Sequence, residues 1–158
     1  MTTYHVRPVE PTTLKELRSA DDAGRRMVPV TDEEGGAPLR CCLRRSAPGE
    51  RIALVSYAPL RRWAAATGAR PGAYDEQGPV FIHAEECPGP DCDSLPFTNA
   101  HRTLRRYSAD GHILGGELVE DAERFDEALR KAFDDRAVAL VHVRAVEYGC
   151  FLYEVRRS

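Results

Sequence analysis

The C-terminal end of the chain carries the pattern that most constrains the fold, two alternating runs joined by a short turn. Residues 137–146 and 150–156 flank Glu147-Tyr148-Gly149. A three-residue loop that ends in glycine is typical of a type I turn followed by a left-handed residue. The sequence therefore predicts a β-hairpin here, and a chain that ends in a hairpin requires a sheet to receive it.

The register of this hairpin separates an apolar face from a mixed one. It places His142 opposite Glu154 and Arg144 opposite Leu152, and a slip of one residue would exchange the two faces. The predicted core face carries Val141, Val143, Ala145, Phe151, Tyr153 and Val155. The opposite face carries Leu140, His142, Arg144, Cys150, Leu152 and Glu154. Polar groups in the middle of a sheet need partners, so this second face is a candidate to line a cleft.

Helical and strand patterns along the rest of the chain predict an α+β fold. The main helix is predicted at 121–135, because Phe125, Leu129 and Phe133 recur at helical spacing behind an acidic first turn. A short N-terminal helix is predicted at 12–23, after Pro11. Five strands are predicted at Tyr4–Val9, Arg26–Thr31, Gly78–His83, Arg102–Ser108 and Ile113–Glu120.

A second hairpin is predicted from runs 39–45 and 51–57, which flank a Pro-Gly turn. The region 58–77 is the least regular part, with a helical turn or two at its centre. Since 158 residues suit one domain, we expect a single domain over residues 1–158. It is expected to hold a mostly antiparallel sheet of about six to eight strands.

Composition and charge exclude several classes of function. A net charge of −3 argues against a nucleic-acid-binding protein, which normally presents a basic face. No apolar run has the roughly 18 to 20 residues that cross a bilayer, and the N-terminus lacks the apolar core of a signal peptide. A cytoplasmic location is therefore predicted, with the odd number of five cysteines present mostly as thiols.

Arginine dominates the basic residues. Of the 22 lysines and arginines, only Lys15 and Lys131 are lysines. Codon bias in a GC-rich bacterium is the favoured explanation of this imbalance. Recognition of a carboxylate or phosphate is the alternative, since arginine binds these groups in bidentate fashion.

Cysteine and histidine cluster after the predicted strand 78–83. Three, four and eight residues separate His83, Cys87, Cys92 and His101, a spacing that can surround a tetrahedral ion. Thiolate and imidazole are ligands that transition metals select, so zinc is a candidate ion, and the sequence leaves the identity of the metal open. Two other readings remain open, a Cys87–Cys92 disulfide and a loop of inert residues.

Cys41 and Cys42 are adjacent within a predicted strand. Adjacent strand residues face opposite sides, so one of the two is expected to be a core thiol. A vicinal disulfide and a soft-metal pair are the alternatives.

The C-terminal hairpin supplies a second candidate set. His142 and Glu154 form either a general base with its orienting carboxylate or a structural hydrogen-bonded pair. Cys150 is either a packing residue or a nucleophile whose pKa is lowered by Arg144. The candidate catalytic residues are therefore His142, Cys150, Arg144 and Glu154.

Several motifs occur in a recognisable order. They are Pro48-Gly49-Glu50, Gly78-Pro79-Val80-Phe81-Ile82-His83 with Cys87, Val141-His142-Val143-Arg144 and Gly149-Cys150-Phe151. Together they resemble the bacterial domain-of-unknown-function family 1203, from about Pro38 to the C-terminus. The resemblance implies a small α+β domain and no particular activity.

The chain departs from that family at two points. The family has Pro-Cys-Arg-x-Cys-Leu where this chain has Pro38-Leu39-Arg40-Cys41-Cys42-Leu43, so Leu39 replaces the first cysteine and Cys41 lies two residues away. A metal or redox role that requires the replaced thiol is not expected to carry over. The family's Arg-Ala-Tyr-Asp becomes Arg105-Arg106-Tyr107-Ser108, which loses an aspartate.

Two functional hypotheses follow from the sequence. The first is a metal- or thiol-dependent protein that acts on or binds a small anionic metabolite. Its site would combine His83, Cys87, His142 and Cys150, with Arg144 or Arg105 holding the anion. The second is a non-catalytic ligand- or partner-binding module whose Cys and His residues are structural. The first requires at least three of the four side chains to converge.

Overall fold

The protein is an α+β protein with two antiparallel sheets. The computed structural model describes residues 3–91 and 94–158. Within these residues the chain has three α-helices and eight strands. The predicted fold class and the antiparallel pairing are confirmed, but the eight strands form two sheets instead of the single predicted sheet.

In chain order the elements are β1 (Tyr4–Arg7), α1 (Pro11–Ser19), β2 (Val30–Asp32), β3 (Glu50–Tyr57), α2 (Pro59–Thr67), β4 (Gly78–His83), β5 (Arg102–Tyr107), β6 (Ile113–Val119), α3 (Phe125–Asp134), β7 (Leu140–Ala145) and β8 (Phe151–Arg157). Short 3-10 turns occur at Gly72–Tyr74 and Ala122–Arg124. The helix α2 is longer than the helical turn or two predicted in this region.

The chain divides into two compact units. The five-stranded unit comprises the segment that ends at Arg7 together with Ala58–Glu76 and Thr98–Ser158. The three-stranded unit comprises Pro8–Tyr57 and Gln77–Phe97. The prediction of one domain over residues 1–158 stays a prediction.

The sheet of the five-stranded unit has the order β1-β8-β7-β5-β6, with every pair antiparallel. The main helix α3 buries the predicted stripe of Phe125, Leu129 and Phe133. The Phe133 ring stacks on Tyr4 of β1 at 6.5 Å. On the other face of the sheet, Tyr107 and Leu140 pack against Leu60 and Trp63 of α2.

The C-terminal hairpin forms, but its register slips near the turn. His142 pairs with Glu154 as predicted, whereas Arg144 pairs with Phe151 instead of Leu152. A β-bulge between Val143 and Arg144 accounts for the shift. Because paired residues share a face, Phe151 lies on the His142 face, and the prediction that it joins the Val141 face is wrong.

The three-stranded unit has the sheet order β2-β3-β4, again antiparallel. The helix α1 buries Leu14 and Leu17. The predicted strand at 26–31 shortens to β2 and shifts toward Asp32, while β4 matches its predicted bounds.

The second predicted hairpin is wrong. Residues 39–45 form turns instead of a strand, and the partners of β3 are β2 and β4. Isolated bridges join Leu39 to Phe81 in parallel and Pro38 to Arg45 in antiparallel fashion. Leu43 has a φ of 57°, a left-handed conformation that a strand cannot contain.

None of the helices in the described residues combines the length and the hydropathy that crossing a bilayer requires.

Candidate metal centre

Three cysteines and one histidine form a compact group in the three-stranded unit. The ligand atoms of Cys41, Cys42, His83 and Cys87 all lie within 4.8 Å of one another. The Cys41 Sγ lies 3.4 Å from the His83 Nδ1, and the Cys42 Sγ lies 3.8 Å from the same nitrogen. The two sulfurs are 4.0 Å apart.

The turn at 39–45 brings the two adjacent cysteines to the end of β4. Leu39 is completely buried, and the Arg40 amide donates to the Phe81 carbonyl at 2.9 Å, which fixes the turn against β4. The left-handed Leu43 then reverses the chain. Because Cys41 and Cys42 lie in a turn, the prediction that they face opposite sides of a strand is wrong, and both sulfurs reach His83.

The His83 ring is oriented by a carboxylate. Its Nε2 lies 2.8 Å from the Glu50 Oε2, so an Nε2–H donor to Glu50 leaves the Nδ1 lone pair directed at the sulfurs. Glu50 in turn accepts from both terminal nitrogens of Arg44, at 3.1 and 3.2 Å. These contacts with Arg44, the Ala47 amide and His83 lower the pKa of Glu50 to about 2. Glu50 is thus held as a carboxylate, the usual partner of a metal-ligating histidine.

The thiols lie in surroundings that favour a thiolate at Cys42. Cys41 and Cys42 are buried, whereas Cys87 is partly exposed. A hydrogen bond from the Cys41 thiol, assisted by the Arg44 amide and the charge of Arg44, lowers the pKa of Cys42 to about 6. The same hydrogen bond, together with burial, raises the pKa of Cys41. A bound metal ion would take both groups as thiolates.

The spacing of three of the four ligand atoms, those of Cys41, Cys42 and His83, suits a tetrahedral ion. Bonds of about 2.3 Å to sulfur and 2.0–2.1 Å to nitrogen place tetrahedral ligand atoms roughly 3.5 to 3.8 Å apart. The separations of 3.4, 3.8 and 4.0 Å among Cys41, Cys42 and His83 fall within a few tenths of an ångström of these values. Four protein ligands form a closed set, which is typical of structural zinc sites.

A shallow pocket of about 290 Å³ adjoins the group on its solvent side. Its lining includes Cys87, His83, Arg44, Arg51 and Glu85. Cys87 is therefore the ligand nearest to solvent.

The group contains two of the four predicted metal ligands. His83 and Cys87 belong to it, and Cys41 and Cys42 complete it. Cys92 lies outside the described residues, and so does the proposed Cys87–Cys92 disulfide. His101 is exposed and is not a member of the group. The sequence signal for the two added ligands was the adjacent pair Cys41 and Cys42. The prediction of a strand at 39–45 placed these two side chains on opposite faces and so kept them apart.

The candidate catalytic pair in the five-stranded unit is buried. The His142 Nε2 lies 3.1 Å from the Glu154 Oε1, and Arg156 donates to the other carboxylate oxygen at 2.6 Å. The His142 ring packs between Tyr107 and Phe151, with centroid distances of 4.8 and 4.9 Å. Burial lowers the pKa of His142 against the opposing effect of Glu154. This geometry fits the structural reading, and the catalytic role stays a prediction.

The other two candidate catalytic residues lie beside the hairpin turn. The Arg144 Nε donates to the Gly149 carbonyl at 2.8 Å. Cys150 is half-buried, and its carbonyl accepts from the Ala145 amide at 2.9 Å. His142 and Cys150 belong to the five-stranded unit, whereas His83 and Cys87 belong to the three-stranded unit. The single site combining all four stays a prediction.

Comparisons with known proteins agree with the resemblance noted in the sequence. No curated protein and no solved structure matches the chain. A family model described as "Protein of unknown function (DUF1203)" matches residues 36–157, which include all four residues of the candidate metal centre. Because this match covers most of the 158 residues, the chain belongs to the DUF1203 family.

Proposed function

We propose that the protein binds a thiophilic divalent ion, zinc first, through Cys41, Cys42, His83 and Cys87. The single observation that carries the proposal is the convergence of these four ligand atoms within 4.8 Å. The Glu50 carboxylate on the far side of the His83 ring adds the outer contact that metal-ligating histidines ordinarily have.

The role that this centre supports best is structural. Four protein ligands leave no position for a water molecule or a substrate, which a catalytic zinc requires. Three of the ligands are also buried. The ion would join the turn at 39–45, the end of β4 and the segment that follows it. This favours the hypothesis in which the Cys and His residues have a structural role.

Thiol chemistry is the second candidate. The Cys41 and Cys42 sulfurs lie 4.0 Å apart, and Cys87 lies in the same group. Two of these thiols could reduce hydrogen peroxide, forming one disulfide and two water molecules for each peroxide consumed. Metal content separates the two candidates, because a protein that acts through its thiols needs no bound ion.

The proposal is tested by metal analysis of untagged protein purified without a chelator. We expect about one zinc ion per chain, and occupancy below about one tenth in a Cys41→Ser/Cys87→Ser variant, because a closed site needs all its ligands. Cys150→Ser is the matched control, since it removes a thiol outside the group and should keep the ion. Inductively coupled plasma mass spectrometry gives the ratio.

Two further variants test the ligands predicted from the sequence alone. His101→Ala should retain the zinc ion. Cys92→Ser tests whether Cys92 also binds the ion. The proposal fails if folded wild-type protein contains no metal as purified and takes up none when zinc is added under reducing conditions. That outcome would favour the thiol candidate.

A further inference from the structure

Two arginines of the five-stranded unit converge on one carboxylate. Arg105 of β5 pairs with His142 of β7, and Arg144 lies two residues further along β7, so both arginines occupy the same face of the sheet. The Arg105 Nη1 donates to the Glu76 Oε1 at 2.9 Å, and the Arg144 Nη2 lies 3.6 Å from the Glu76 Oε2. Arg105 also donates to the Tyr107 hydroxyl at 3.3 Å. We call Arg105, Arg144 and the Tyr107 hydroxyl the arginine clamp.

The arginine clamp has more positive charge than Glu76 neutralises. Two guanidinium groups face one carboxylate, and their side chains are only 26% and 15% exposed, for Arg105 and Arg144 respectively. Burial, followed by the neighbouring charge of Arg105, lowers the pKa of Arg144. Partly desolvated cations of this kind gain from a second anionic group.

The neighbouring acid on this sheet face does not supply that charge. Glu154 already contacts His142 at 3.1 Å and accepts from Arg156 at 2.6 Å. His142 adds no negative charge, since an imidazole is either neutral or cationic. Among the residues that the structure describes, Glu76 is therefore the carboxylate in contact with both Arg105 and Arg144.

Glu76 is suited to be displaced. Its side chain is 49% exposed, so its carboxylate can exchange its contacts with the arginines for contacts with water. As a tethered group, however, it competes with external anions at an effective concentration in roughly the millimolar range. Its presence would weaken the binding of a free anion without preventing it.

We propose that the arginine clamp is a binding site for a small anion with carboxylate or phosphate chemistry, and that Glu76 is the internal carboxylate that this anion displaces. Arginine is the residue that recognises both groups in planar, paired geometry. This site lies within the five-stranded unit and does not depend on the metal centre. It identifies where the small anionic metabolite predicted from the sequence would bind.

Isothermal titration calorimetry at low ionic strength tests the role of Glu76. Inorganic phosphate and succinate serve as separate probes of the two chemistries, with the protein in its purified, metal-replete form. We expect Glu76→Ala to bind at least one of them about tenfold more tightly than wild type, because the internal competitor is gone. Glu85→Ala is the matched control: it removes the same charge and releases one exposed arginine, Arg51.

The arginines are tested in the Glu76→Ala background. Adding Arg105→Gln and Arg144→Gln should abolish the gain, and adding Arg105→Gln alone should reduce it at least about fivefold if the double replacement does not fold. Arg130→Gln, which removes an exposed arginine of α3, should leave the gain intact. The proposal is overturned if Glu76→Ala binds neither anion more tightly than Glu85→Ala, or if the gain survives without Arg105.

Discussion

At the scale of single residues, His83 has the most constrained side chain of the candidate metal centre. One ring nitrogen faces two sulfurs and the other faces Glu50, so the ring has a defined orientation before any ion binds. Arg44 fixes Glu50 through two hydrogen bonds and completes the chain of contacts. Such outer contacts reduce the reorganisation that ligand binding requires.

Replacing Glu50 tests this contact without altering a ligand. Glu50→Gln should weaken zinc binding about 10- to 100-fold, because the amide orients the imidazole less firmly and adds less to its basicity. Competition with a chromophoric chelator measures the affinity. Glu85→Gln serves as the control, since Glu85 forms an ion pair with the exposed Arg51. Equal zinc affinities in the two variants would contradict an outer role for Glu50.

At the scale of elements, the bulge in the β7–β8 hairpin decides the surroundings of His142. The slip brings Phe151 to the His142 face, and the ring is enclosed by Phe151 and Tyr107. Burial without full charge compensation favours the neutral imidazole, and Arg144 and Arg105 act in the same direction. The hairpin is therefore more stable when His142 carries no charge.

This environment predicts a pH dependence of stability. Because burial lowers the pKa of His142 in the folded state, the unfolded chain binds one more proton once the pH falls below about 6.5. The free energy of unfolding should then fall with decreasing pH, by at most about 1.4 kcal/mol per pH unit. Urea unfolding between pH 7 and pH 5 measures it.

The matched variant is His142→Gln, which cannot titrate. The free energy of unfolding of this variant, relative to that of wild type, should increase as the pH falls from about 6.5 to 5. Glu154, whose pKa is lowered, loses its contribution only at more acidic pH, so the two residues act in different windows. A constant difference between the two proteins across this range would show that His142 does not titrate differently on folding.

At the scale of the whole molecule, a metal ion bound at the candidate metal centre would add links within the three-stranded unit. The unit has a sheet of only three strands, one of which has three residues. The four ligands come from the turn at 39–45, from β4 and from the segment after it. A bound ion would act as a cross-link between parts of the chain some 40 residues apart, as Cys41 and His83 are.

Removal of the ion should therefore destabilise the protein. At a free zinc concentration of about 1,000 times Kd, binding contributes about 4 kcal/mol, which for a chain of this size corresponds to a Tm decrease of roughly 8–16 °C on removal. Differential scanning calorimetry with and without a chelator measures this shift. The Cys41→Ser/Cys87→Ser variant should show no response to the chelator, and an equal response in both proteins would contradict the prediction.

Local patterns in the sequence were sufficient to predict most helices and strands and two of the four residues of the candidate metal centre. The apolar spacing in α3 and the alternation in β7 and β8 depend only on neighbouring residues, so they could be read directly. His83 and Cys87 could be grouped for the same reason, since three residues separate them. The pairing of His142 with Glu154 followed from the turn and the alternation.

The tertiary structure alone decided which other residues join these groups. Cys41 and Cys42 meet His83 because Leu39 pairs with Phe81 and Leu43 adopts a left-handed conformation. The composition of this short apolar run predicts neither the pairing nor the left-handed residue. Glu76 meets Arg105 and Arg144 through contacts between distant segments. Sequence periodicity specifies which side of an element a residue faces, whereas long-range packing decides what that side meets.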